Sequence, residues 1–142
     1  MALALTPVVW FVAIPFGHGV VPWALSLLTQ RFGWIGNRPG LLYLIGLLPV
    51  AIGSACLVWV MIHGLSRAAD LPKRIDLSWK PKLLLRQGPF RFTRNPMYAS
   101  ELMLWFGWSI FYGSIVVLIG FVTLCALVSF LVRREERDLA RQ

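Results

Sequence analysis

The stretch MYASELMLWFGWSIFYGSIVVLIGFVTLCALVSFLV, residues 97–132, decides the fold. Glu101 is its only charged residue. As one helix rising about 1.5 Å per residue, it would be roughly 54 Å long. A bilayer's hydrocarbon core is only about 30 Å thick. The stretch must therefore fold back on itself. Gly113-Ser114, near its middle, supplies the turn. The expected result is a tight helical hairpin with spans at 96–112 and 114–132.

Working outward, residues 6–29 and 41–65 carry no charge. Each is long enough for the roughly 20 residues that cross a hydrocarbon core. The whole chain has 142 residues, 58% of them hydrophobic and only 14% charged. A soluble domain carries about 25% charged residues, so this one cannot cover its surface with charge and needs lipid. The expected fold is an all-α integral membrane protein of about four transmembrane helices in a single domain. Residues 66–95 form a basic loop between spans, and residues 133–142 form a tail.

The charges fall into three groups. Residues 30–40 hold Arg31 and Arg38; residues 66–95 hold eight basic residues against Asp70 and Asp76; the tail mixes four arginines with Glu135, Glu136 and Asp138. The positive-inside rule puts the long basic loop in the cytoplasm, and with four spans both termini follow it there. A net charge of +8 raises the question of nucleic acid. These charges flank spans, where orientation and anionic headgroups account for them, so no nucleic-acid partner is expected. The N-terminus lacks the basic start of a cleavable signal, and its apolar stretch is too long for one. Cys56 and Cys125 lie in separate apolar segments without metal-ligand spacing, so neither a metal site nor a disulfide is expected.

The first apolar segment contains Pro7, Pro15 and Pro22, with glycines at 17 and 19. A bent helix packed on neighbours is expected, because proline removes a backbone donor that lipid cannot replace. His18, between those glycines, reads as a hydrogen-bonded packing residue or as a functional one. In the second segment, Gly46, Pro49, Gly53 and Ser54 permit close helix approach. His63, near its end, is assigned no chemistry.

The densest run of unusual features is Gly88-Pro89-Phe90-Arg91-Phe92-Thr93-Arg94-Asn95-Pro96-Met97-Tyr98. Basic residues alternate with aromatics. Asn95 suits a helix cap and Pro96 a first helical turn. A helix start at that point favours an anionic group. The plain alternative is a basic juxtamembrane linker. Arg133-Arg134-Glu135-Glu136-Arg137-Asp138-Leu139 follows the last apolar run directly. Acidic residues there meet the unfavourable end of the helix dipole. They read either as a solvated charge cluster or as carboxylates facing a cationic ligand.

These two segments, joined by a hairpin, resemble the isoprenylcysteine carboxyl methyltransferase and phospholipid methyltransferase superfamily. Its core reads Gly-Pro-Tyr-Arg-Tyr-x-Arg-His/Asn-Pro-x-Tyr, then a hairpin, then Glu-Glu-x-x-Leu. The resemblance covers residues 82–139 and implies a membrane enzyme that uses S-adenosylmethionine. It places cofactor contacts on Lys82, Leu83, Leu84 and Leu85, on Phe90, on Asn95, Pro96, Met97 and Tyr98, and on Glu135 with Glu136 beside it. The carboxylates suit the cofactor's ammonium, and the helix start suits its carboxylate. Phe90 and Tyr98 offer ring faces to the adenine or the cationic sulfur. The implied acceptor is a membrane lipid or lipid-like molecule. The family's own arginine for an anionic substrate head aligns with Leu131; Arg134, with Arg133, is the nearest candidate for that role.

Glu101 lies three residues after Tyr98, on the same helix face. An intramembrane carboxylate is by default a functional candidate. It reads as a substrate- or proton-handling group, or as the buried partner of a polar neighbour such as His18 or Trp108. Asn95 replaces the more usual histidine, as in bacterial and phospholipid-type relatives, and a bacterial inner membrane is the expected location. Family members continue beyond Glu-Glu-x-x-Leu into a Phe-Gly-x-x-Tyr-x-x-Tyr segment that helps close the site. This sequence ends at Gln142, so the site is expected to be open or completed by another chain or a second copy. Two other readings remain: an NADPH enzyme of the sterol-reductase type, and a non-catalytic scaffold that keeps the hairpin for packing.

Overall fold

A computed structural model of the chain describes residues 16–70, 91, 93 and 95–140. Most of the basic loop and the first part of the expected span at 6–29 lie outside the described residues. The hairpin consists of α3 (Pro96–Tyr112) and α4 (Ile115–Ala140). Gly113 joins them in the left-handed conformation, with φ 54°. Its N–H closes the end of the helix on the carbonyls of Ser109 and Ile110. A side chain here would be strained twice. The backbone conformation disfavours any Cβ, and a Cβ would run into the Phe32 carbonyl and the Tyr43 ring. Gly113→Ala is expected to cost about 2 kcal/mol, measured as a lower unfolding midpoint in detergent.

The preceding helix, α2 (Leu47–Asp70), runs antiparallel to α3 and is entered through a 3-10 turn, Leu41–Gly46. The two backbones touch at glycines. A Cβ on Gly46 would lie 2.6 Å from the Gly107 carbonyl oxygen, and one on Gly107 would lie 2.8 Å from the Val50 nitrogen. Gly53 lies equally close to Ser100 and Leu104. Of the small residues expected to permit this approach, Gly46 and Gly53 do so. Ser54 instead faces outward. On the other side of α3, Trp105 lies over Gly120 of α4.

The N-terminal described segment is a π-helical turn, Phe16–Val20, leading into α1 (Val21–Ser26). Pro22 explains its docking. Four residues before it, the His18 carbonyl loses the N–H that a regular helix would supply. The Trp108 indole N–H of α3 donates to that carbonyl instead. At the far end, the Thr29 and Ser114 hydroxyls pair at 2.9 Å and the Phe32 N–H donates to the Gly113 carbonyl. Residues 30–40, with their two charges, are also folded. They contain a small hairpin, β1 (Trp34–Ile35) with β2 (Arg38–Pro39), turned by Gly36 and Asn37, both at positive φ. The Trp34 indole donates to the Phe111 carbonyl, and the Arg31 guanidinium lies over the Trp34 and Tyr112 rings. This cluster fastens the loop to the turn of the α3–α4 hairpin.

Two helical stretches, Leu41–His63 and Ile115–Arg134, are long and apolar enough to cross a bilayer. Of the about four spans expected, α3 has 17 residues, at the short end of the range that suffices. The helical part of the first segment is shorter still among the described residues. Many large apolar side chains face outward, Leu48, Ile62, Ile119 and Phe130 among them. Two helices run on beyond the spans expected of them. The last helix does not stop at 132 but continues to Ala140, because Arg, Glu and Leu are good helix formers and nothing there breaks the ladder. The second likewise runs on to Asp70 rather than 65.

Candidate functional site

The antiparallel order brings the end of α2, the start of α3 and the end of α4 to one side of the molecule. Asn95 occupies the cap position of α3 with φ −126° and ψ 69°, but its side chain makes no capping hydrogen bond. This corrects the expected cap. The Asn95 N–H donates instead to the Thr93 hydroxyl at 3.3 Å, and its carbonyl accepts from the Ala99 N–H. Pro96 is buried, while Met97 and Tyr98 are half-buried in the first turn. The positive end of the α3 dipole thus faces this side without a carboxamide across it.

Helix α4 has 26 residues and α3 has 17, so α4 overruns the start of α3 by roughly 14 Å. Arg134 and Glu136 are exposed on that overhang, and Glu135 lies between them in the same helix. Lys82, Leu83, Leu84, Leu85 and Phe90 lie outside the described residues, as does the Glu135 side chain.

Glu101 sits one turn inside Tyr98. Its carboxylate Oε1 is 3.8 Å from His18 Nε2. Of the two readings of this residue, partnership with His18 is the one with geometry behind it, and Trp108 completes the arrangement by holding the His18 backbone. The pair is not sealed, since 17% of the His18 side chain and 16% of the Glu101 side chain remain accessible. Among the described residues, no group of three His, Cys, Asp or Glu is placed to hold a metal.

One feature escaped the sequence reading. A cavity of about 210 Å³ opens between α2 and α3 at the same side, walled by Ile52, Cys56, Trp59, Ala99, Ser100 and Met103, with Thr93 and Pro96 at its end. Its lining is almost wholly apolar. Of the residues assigned to the cofactor, Pro96 alone borders it. The signal for it was the spacing of 52, 56 and 59 on one helix against 96, 99 and 103 on the next, which places both sets on facing stripes.

A family model described as phospholipid methyltransferase matches residues 41–142. The chain belongs to the phospholipid methyltransferase family. This is the superfamily whose motifs were read at 82–139, and the match reaches further back, through α2 and its 3-10 turn. No curated protein and no solved structure gives a significant match. The family is one of membrane methyltransferases, in keeping with a helical chain whose long apolar helices turn large side chains outward.

Proposed function

We propose that this family member is an integral membrane methyltransferase that uses S-adenosylmethionine to methylate a lipid-like acceptor at the cytoplasmic edge of the α3–α4 hairpin. The observation that carries this reading is the juxtaposition at one side of the bundle. There the uncapped start of α3, Asn95 to Tyr98, lies on the same side as the overhanging end of α4, whose mixed charges include Glu135 and Glu136. The residues fit the cofactor's charges. The start of α3 would hold its carboxylate, Glu135 and Glu136 its ammonium, and Tyr98 its adenine or sulfonium. Lys82 to Leu85 and Phe90 complete the set by position in the family motif. The cofactor supplies an electrophilic methyl group. The protein's work is alignment, which alone can be worth several kcal/mol. Arg134 would meet the acceptor's phosphate, with both termini cytoplasmic and a bacterial inner membrane as host.

The apolar cavity between α2 and α3 supports a lipid acceptor. It opens towards outward-facing apolar surface and ends at Pro96, where the cofactor motif begins. An Ala99→Trp substitution on its wall is expected to raise the KM for a long-chain phospholipid about tenfold. Displacing two buried methylenes at about 0.8 kcal/mol each gives that loss. S-adenosylhomocysteine affinity should stay the same, and so should turnover of a short-chain analogue.

Titration calorimetry with S-adenosylhomocysteine on the purified protein tests the reading. Saturable binding is expected, with none for NADPH. Absence of binding at millimolar ligand would overturn it, and binding of NADPH alone would point to a reductase.

A further inference from the structure

We propose that Arg31 holds the phosphate of an anionic phospholipid at the hairpin-turn end of the bundle, in the leaflet opposite the proposed cofactor edge. Arg31 precedes residue 41, so it lies outside the part of the chain that the family model matches. The site needs neither the cofactor nor the methyl acceptor.

The guanidinium is fixed in place and yet has no anion. Its Nε donates to the Ser26 carbonyl at 3.3 Å. Its central carbon lies 4.5 Å from the centre of the Trp34 ring and 5.3 Å from that of Tyr112. These rings are themselves held. The Trp34 indole donates to the Phe111 carbonyl, and Tyr112 stacks against both Trp34 and Trp108. Nη2 is enclosed and meets no acceptor among the described residues, while Nη1 is neither enclosed nor bonded among them. Arginine stays charged at any ordinary pH, and a shielded cation without a partner is costly. Stacking on rings leaves the edge of a guanidinium available, and that edge matches two oxygens of a phosphate.

The chain supplies no carboxylate at this end among the described residues. Its six acidic residues are Asp70, Asp76, Glu101, Glu135, Glu136 and Asp138. Asp70 ends α2 and the last three lie near the end of α4, both at the opposite side. Glu101 is paired with His18, about 16 Å back along α3 from Tyr112. Asp76 lies outside the described residues. Arg38, exposed on β2, adds a second cation to the same loop. With the basic loop cytoplasmic, as proposed, these two arginines run against the rule that keeps such charges on the cytoplasmic side. A ligand that uses the charge accounts for them.

The surroundings make the carrier of the phosphate a lipid. The apolar stretches Leu41–His63 and Ile115–Arg134 both begin at this side, so Arg31 sits at the level where two spans end. Leu28, Ile35, Leu41 and Leu42, in the loop and its flanks, are between 70% and 87% exposed, which suits acyl chains and not water. Trp34 and Tyr112 fit the aromatic belt found at that depth. A zwitterionic headgroup brings an ammonium that finds no carboxylate here, so an anionic headgroup is preferred. The 17 residues of α3 separate this end from Asn95 by about 25 Å, so this lipid is not the methyl acceptor.

Native mass spectrometry of the full chain in detergent tests the proposal, with phosphatidylglycerol, phosphatidylcholine and inorganic phosphate as probes. Wild type should bind one phosphatidylglycerol at least about tenfold more tightly than phosphatidylcholine, the scale of a hydrogen bond to a charged group. Millimolar phosphate should not displace it. Arg31→Gln should lose the preference, and Arg31→Lys, which keeps the charge without the planar fork, should keep only part of it. The basic residues at 66–95 attract the same lipid to the other side, so a phosphatidylglycerol with a photoreactive headgroup locates the tight one. Its cross-links in wild type should fall within residues 27–46 and 109–118. In Arg31→Gln these should disappear while any to 66–95 persist, a pattern that misfolding would not give. If Arg31→Gln does not fold, the lipid preference and cross-links of wild type decide alone. Equal binding of the two lipids by wild type, cross-links confined to 66–95, or an unchanged preference in Arg31→Gln would overturn the proposal. Displacement by phosphate would also overturn it, by making the site one for a free anion. None of these outcomes touches the methyltransferase reading, which stands or falls on S-adenosylhomocysteine binding.

Discussion

Gly107→Val is expected to lose at least about 3 kcal/mol of stability and to weaken S-adenosylhomocysteine binding with it. Overpacking of a close-packed interior costs about 1–3 kcal/mol, and more when backbone must move. Here the obstacle is backbone. A Cβ at residue 107 would lie 2.7 Å from the Gly46 carbonyl oxygen and 2.8 Å from the Val50 nitrogen. No rotamer relieves that contact, so α2 and α3 must part along their length. Lipid offers no hydrophobic compensation, because close contact itself is the main force between such helices. The start of α3 would tilt with the helix, and cofactor affinity should fall as well. Unfolding in mixed micelles measures the first effect and calorimetry the second. A Gly107→Ala protein should fall between the two. If Gly107→Val unfolds at the wild-type midpoint, the helices are not in backbone contact there.

The same interface shows what could be read before any coordinates. The hairpin turn followed from arithmetic, since 36 apolar residues cannot span a bilayer once, and Gly113 is the residue that tolerates φ 54°. The close approach of α2 and α3 was visible as glycines, but only one partner helix of each contact was named. Gly107 lay among aromatics and was not read as a contact. The helix beyond 132 was not legible because a change from apolar to charged residues marks a membrane boundary, not a helix boundary, and α4 runs through it. The β1–β2 hairpin was missed because its strands have two residues each, too short for any alternation to show. Arg31 was read as an interfacial charge. Its place over two aromatic rings depends on Tyr112, 81 positions away, and no local pattern encodes that.

The candidate site was legible in motifs and illegible in geometry. Asn95 had every sequence mark of a helix cap, yet its side chain does not cap. A capping residue usually contributes about 1 kcal/mol, so its absence from that role is a cost the local fold does not recover. The mismatch between local rule and structure is where function is expected to lie. Asn95→Ala should therefore leave the unfolding midpoint nearly unchanged. Glu101 carried two readings because a carboxylate's partner comes from a distant helix, and Pro22 identifies that partner only once the Trp108 hydrogen bond is seen.

Glu135→Ala is expected to weaken S-adenosylhomocysteine binding by about tenfold to 100-fold without destabilising the protein. The first half follows from the proposed contact. A hydrogen bond to a charged group is worth about 1.5–3 kcal/mol, and each 1.4 kcal/mol is a factor of ten. The second half follows from the helix alone. Residue 135 is near the C-terminal end of α4, where the dipole disfavours a negative charge by a few tenths of a kcal/mol or more. Alanine is also the better helix former. The substitution should leave the unfolding midpoint equal to wild type or slightly higher while affinity falls. Opposite signs in the two measurements separate a ligand-facing carboxylate from a solvated charge cluster, because general damage would lower both. Glu136→Ala, at an exposed position on the same helix, supplies the comparison and should cost less affinity. If Glu135→Ala binds S-adenosylhomocysteine as wild type does, the carboxylates at the end of α4 are not part of the cofactor site. The start of α3 would then have to hold the ligand without it.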